Sequence, residues 1–105
     1  MALARTLDPS TSHAAAKSVI DGRPTMKIIM DILRHGDASD EVIAYVYTGL
    51  VDAGRAPQAS PSGLRSRRAE LVDLGMVEDS GQRTLLMTNR RAIVWRLTEV
   101  ARIHD

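Results

Sequence analysis

Three arginines, Arg65, Arg67 and Arg68, fall within one turn of each other, beside the small hydroxyls Ser62 and Ser66, and three more, Arg83, Arg90 and Arg91, follow in turn-rich sequence. A guanidinium is a planar fork of donors. It matches the paired acceptors on the major-groove edge of guanine, or two oxygens of one phosphate, while a short hydroxyl can reach a base edge or the backbone. The chemistry on offer is recognition of a polyanion.

Bond-making chemistry is missing its usual parts. There is no cysteine, which excludes disulfides, thiolate catalysis and cysteine-based zinc sites. His13, His35 and His104 are far apart, with no partner at metal-ligand spacing. No glycine-rich phosphate loop, nucleophile elbow or paired catalytic acid motif occurs. The expectation is a protein without enzymatic activity, metal or cofactor.

The net charge of +1 over 105 residues argues neither way about a nucleic-acid partner. Its distribution is more telling. From Met26 to Gly54 two bases face five acids, a net of −3, whereas from Ser60 to Arg96 seven bases face four acids, a net of +3. A surface for DNA belongs to the second half.

Those arginines need elements to position them. A chain of 105 residues, 44% apolar and 26% charged, folds as one domain; with 3% aromatics and no Phe, its core must come from Leu, Ile, Val, Met and Ala, which favours helices. Neither a signal-peptide core nor a membrane-length apolar run occurs, so a soluble, cytoplasmic protein without a membrane partner is expected.

Met1 to Leu7 reads as a loose arm, and residues 8–12 offer caps for a short helix from His13 to Ile20 that ends at Asp21-Gly22. A second helix, capped by Thr25, runs to His35 and stops at Gly36. It carries Met26, Ile29, Met30 and Leu33 on one face with Ile28 and Ile32 beside it, an apolar face wide enough for burial on two sides. Ser39, followed by Asp40 and Glu41, caps a third helix with the stripe Ile43, Val46, Tyr47, Leu50. Gly49 to Ala59 reads as turn or loop. Ser60-Pro61 then opens a fourth helix to Leu74, and Gly75 ends it.

Beyond Gly75 the period changes to two. Met76–Glu78 and Ala92–Leu97 read as antiparallel strands, with Ile93, Trp95 and Leu97 on one face and Trp95 turned toward the helices; Ser80-Gly81 and Asn89-Arg90 read as turns. The fold class is mainly α with a small antiparallel β-hairpin, a winged helix-turn-helix. Its parts are an arm and short helix over 1–22, the winged domain over 23–98 and a tail over 99–105.

On a helical wheel Leu64, Leu71, Val72 and Leu74 share the inner face of the fourth helix, and Ser62, Arg65, Ser66, Ala69 and Asp73 project outward. Ser62, Arg65, Ser66 and Ala69 are the candidates for base contact, and Arg67 for phosphate. Arg68 points inward. It either pairs with an acid such as Glu41 or Asp79 or turns to DNA. Arg83, Arg90 and Arg91 form a basic wing for backbone or minor-groove contact.

Four segments carry a resemblance: Ser12–Ala16, Asp40–Ala44, Arg65–Gly75 and Asn89–Thr98. In them the chain resembles small winged helix-turn-helix proteins of actinobacterial phages, and the run Ala69–Val77 resembles the helix, Leu-Gly, strand junction of MarR-like regulators. The resemblance implies a sequence-specific regulator of transcription on double-stranded DNA. It departs from the usual pattern in the long connection Val51–Ala59. A homodimer is expected from the apolar face of Met26–Leu33 with Ala14–Ile20 and Val100–Ile103, although a core wrapped by the terminal helix uses the same residues. Two alternatives are a module that binds a host protein through the same fold and an architectural protein that bends DNA.

Overall fold

A computed structural model describes residues 9–103, of which 9–14 are described by their backbone alone. The arm expected over Met1–Leu7, the side chain of His13, and His104 lie outside the described residues.

The order of elements is α1 (Pro9–Asp21), α2 (Pro24–His35), α3 (Asp40–Asp52), α4 (Pro61–Asp73), β1 (Val77–Leu85), β2 (Arg91–Leu97) and α5 (Glu99–Ile103). β1 and β2 form an antiparallel ribbon in which Val77 opposes Leu97 and Leu85 opposes Arg91. Three helices stacked on the base of a hairpin make a winged helix-turn-helix.

Local rules explain most boundaries. α1 starts at Pro9, four residues ahead of the expected His13, because proline suits a first helical turn; Ser10 to Ser12 therefore lie inside the helix. Pro24 opens α2 in the same way. Thr25 is not its cap: that position falls to Arg23, without a side-chain hydrogen bond, while the Thr25 hydroxyl lies 3.2 Å from the Tyr47 hydroxyl. At the other end Gly36 is extended. The Ser39 hydroxyl accepts the Val42 amide at 3.3 Å, as a cap should.

α3 continues through Gly49 to Asp52, so the loop is shorter than Gly49–Ala59. Gly54, at φ 74, takes the left-handed position that ends the helix. The Tyr47 hydroxyl then donates to the Pro57 carbonyl at 2.7 Å, tying the centre of the loop to the core. A long connection thus still delivers α4 to a fixed place.

The core is a single cluster. Ile29 and Met30 of α2, Ile43 and Tyr47 of α3 and Leu64 and Leu71 of α4 meet beneath Val77 and Leu97 at the hairpin base. Ala16 and Ile20 add α1 to it, and Ala101 adds α5, whose first turn is capped by the Thr98 hydroxyl. Burying one aliphatic side chain is worth about 1.5–3 kcal/mol, so this cluster is the main stabilising term. The stripe expected on α3 is only half buried: Val46 is exposed and Leu50 half-buried. With Ile28, Ile32 and Val42 they line a groove of about 770 Å³ between α2 and α3.

The hairpin differs most from expectation. β1 spans nine residues instead of three, and Ser80-Gly81 is no turn. The register shifts between Asp79 and Arg83 because Gly81, at φ 87, lets the strand bulge. The Asp79 carboxylate accepts the Gly81 amide at 2.8 Å, and the Ser80 hydroxyl accepts the Gln82 amide at 3.2 Å, which replaces lost ladder bonds. Arg83 therefore sits in a strand. β2 also pairs on its other edge, where Ala38 exchanges two backbone hydrogen bonds with Trp95, at 3.0 and 2.9 Å.

Candidate nucleic-acid interface

The starting point is Ser60. Its hydroxyl accepts the Gly63 amide at 3.0 Å, and Pro61 follows at the first helical position, where its missing amide costs nothing, so that α4 begins on a fixed axis. Leu64 and Leu71 are buried, one on each side of the helix centre, which sets the rotation about that axis. Ser62, Arg65, Ser66 and Ala69 then fall on the exposed side, spaced i, i+3, i+4 and i+7.

Arg68 fixes the helix further. Its Nε donates to Asp40 Oδ1 at 2.9 Å and its Nη2 to Oδ2 at 2.7 Å, a two-pronged pair between α4 and the first turn of α3. The side chains are only 15% and 28% exposed. The guanidinium also lies 4.0 Å from the centre of the Trp95 ring, so one cation joins α4 to α3 and to β2. The inward orientation read from the wheel holds, but the acid is Asp40, neither Glu41 nor Asp79. Asp40 reads in sequence as a helix-start residue serving the dipole. The chain turn that aims it at α4 has no signature of its own.

Trp95 is half-buried against the core cluster with one face given to Arg68. It faces the helices as its strand period implies.

The remaining candidates divide by partner. Arg67 is half-buried, its Nε 2.7 Å from Glu70 Oε1 at an angle outside hydrogen-bond geometry. Arg83 holds Asp79 in two hydrogen bonds, 2.9 and 3.0 Å, and that guanidinium, followed by the Gly81 amide, keeps the Asp79 carboxyl below its ordinary 3.8. Arg96 pairs with Glu78 at 2.7 Å. Arg65, Arg90 and Arg91 are exposed and have no acid partner among the described residues. Three cations able to meet a polyanion without first breaking an ion pair thus stand on α4 and at the outer end of the hairpin.

The outer turn of the hairpin includes the expected Asn89-Arg90 and begins earlier, at Leu86. Leu86 N donates to the Arg90 carbonyl at 2.8 Å and Asn89 N to the Leu86 carbonyl at 2.9 Å, with Asn89 at φ 67. This closes the wing on Leu86–Arg90, where the Asn89-Arg90 turn was expected. It also leaves Met87 and Leu85 exposed.

Among the described residues no group of three or more His, Asp or Glu is placed to hold a metal ion, and no helix is long and apolar enough to cross a membrane.

No protein-family model matches the chain, and no curated protein matches it in sequence. Among solved structures it is similar to the crystal structure of Bacillus subtilis PadR in complex with operator DNA. The TM-score is 0.62 and the identity 21%, over 77% of this chain and 44% of that one. The chain therefore spans less than half the length of the PadR chain it matches, and what the two share is the winged-helix fold.

Proposed function

We propose that the protein is a sequence-specific, double-stranded DNA-binding regulator of transcription without catalytic activity. In this reading α4 enters the major groove and the hairpin meets backbone or minor groove. The observation that carries it is the exposed face of α4: Ser62, Arg65, Ser66 and Ala69 are small or fork-shaped, Arg65 has no acid partner among the described residues, and the helix beneath them is locked through Arg68. A rigid helix with free donors on its outer face is what base readout requires.

Arg90 and Arg91 serve phosphates from the wing, and Arg67 and Arg83 join them by exchanging Glu70 and Asp79 for phosphate oxygen. That PadR was solved with operator DNA supports the reading by analogy of fold. Carriage by a phage and kinship with MarR-like regulators rest on the sequence resemblance alone.

A homodimer belongs to the same proposal. The exposed apolar residues Val19, Val100 and Ile103, on the two terminal helices, are its candidates. Two copies would set their α4 helices about 34 Å apart, one turn of DNA.

One observation favours a second reading. The groove between α2 and α3, floored by Ile28, Ile32, Val42, Val46 and Leu50, suits the apolar face of a protein partner. Titration of a labelled random duplex at several salt concentrations separates the two. Phosphate contact makes log K fall linearly with log salt, by nearly one unit per contact. A module that binds only protein gives no measurable binding.

A further inference from the structure

The outer end of the hairpin is apolar where solvent contact is greatest. Met87 is 98% exposed and Leu85 64%, with Leu86 half-buried between them. No core residue lies there, so these side chains add nothing to the fold. Nor does Met87 ride on a slack loop. The hydrogen bonds of Leu86 to Arg90 and of Asn89 to Leu86 hold the turn, and Asn89 takes the left-handed conformation that closes it.

The surroundings of this tip are positive. Arg90 and Arg91 flank it without acid partners among the described residues, while the acids of the hairpin, Glu78 and Asp79, lie at its inner end, each held by an arginine. Residues opposed in an antiparallel pair share a face. Arg91, Ile93 and Trp95 alternate onto one side of β2, and Leu85 opposes Arg91 there. Trp95 on that side touches Arg68 of α4. The pair of Leu85 and Arg91 therefore lies on the side of the ribbon that carries α4.

We propose that Met87, backed by Leu85, is an apolar wedge that enters the minor groove and partly unstacks a base step, with Arg90 and Arg91 on the neighbouring phosphates. This rests on the DNA-binding reading above. An anionic groove with apolar sugar walls accepts an apolar knob inside a cationic collar, and pyrimidine–purine steps open most readily. The amino group of guanine stands in that groove and obstructs entry.

The test uses the full chain and three alternating duplexes, dA-dT, dG-dC and dI-dC. Inosine removes the minor-groove amino group and leaves the major-groove edge of guanine unchanged. The wedge predicts that dI-dC, which shows α4 the same major-groove edge as dG-dC, binds about tenfold more tightly than dG-dC. A second readout places 8-vinyladenine, a fluorescent adenine quenched by stacking and without a minor-groove amino group, at a TA step. Its fluorescence rises on binding, and Met87→Ala removes the rise and lowers affinity about three- to tenfold, with the salt slope unchanged. Because Met87 touches almost nothing, the variant folds like the parent.

Duplex binding with dI-dC ranked beside dG-dC, or a fluorescence rise that survives Met87→Ala, overturns the wedge and leaves the DNA-binding reading standing. Absence of salt-dependent binding to all three duplexes overturns both. Capture by anionic vesicles that depends on Met87, without base unstacking, assigns the tip to a lipid surface and also overturns the wedge.

Discussion

α4 and the outer hairpin carry Arg65, Arg90 and Arg91, arginines without an acid partner among the described residues, yet they are held in opposite ways. α4 is fixed at its start by the Ser60 cap, along its length by Leu64 and Leu71, and at its middle by Arg68 between Asp40 and Trp95. The hairpin is held firmly only at its inner end, where Val77 and Leu97 are buried and Ala38 pairs with Trp95. Past the bulge between Asp79 and Arg83 only the pairing of the two strands and the closing turn remain. Base readout depends on side chains kept within a fraction of an ångström, whereas contact with a backbone of variable width gains from an element that can lean. In the proposed reading, the difference gives specificity to α4 and adaptability to the wing.

Removing the central clamp breaks the contrast most severely. Arg68→Ala leaves Asp40 partly buried beside a bare Trp95 face and lowers stability by about 2 kcal/mol, a fall of roughly 10 °C in Tm for a domain of this size. DNA affinity measured well below the new midpoint changes far less. A variant that melts like its parent while losing affinity would mean that Arg68 faces the duplex. Asp40→Asn destabilises in the same direction, and the double variant costs less than the two single losses together because the sites share one interaction.

A smaller loss comes from the start of the helix. Ser60→Ala removes the acceptor for the Gly63 amide and costs about 1 kcal/mol, read by chemical denaturation. The damage is local to the turn that carries Ser62, so base discrimination weakens more than the salt slope does.

The smallest effect lies at the bulge. Arg83 holds the Asp79 carboxyl below 3.8, so this pair contributes stability above the ordinary carboxylate range and loses it as pH falls below 3.8 and through the lowered folded value. In Arg83→Ala the Asp79 titration, followed by NMR, moves up toward 3.8. The stability difference between parent and variant is present at neutral pH and vanishes in acid.

How much of this was legible in the sequence follows from the range of the interactions. Caps and stops act over three or four residues, and so Ser39, Ser60 and Gly75 read correctly. The outward set on α4 followed from one helical period. Thr25 misled because proline at the next position up, Pro24, takes over the helix start and frees the hydroxyl for Tyr47. The bulge was invisible because Ser80-Gly81 has the composition of a turn, and only pairing with β2 distinguishes the two. Asp40 and Arg68 stand 28 residues apart, and nothing local in either tells that they meet. The groove beside Val46 and Leu50 was missed for a related reason: a helical stripe gives a face, not the element that covers it.

The central claim is that α4 reads DNA with its outer face while Arg68 serves the fold. Arg65→Ala tests it most directly, with thermal melts and duplex affinities at several salt concentrations on parent and variant, using a site selected from a random library. The prediction is a Tm within about 1 °C of the parent, since an exposed, unpaired side chain adds little to stability. Specific affinity falls by about 1–3 kcal/mol, with the preference relaxed at one base position and non-specific binding to random duplex nearly intact. An Arg65→Ala protein that keeps full affinity and unchanged preference at every position would contradict the account.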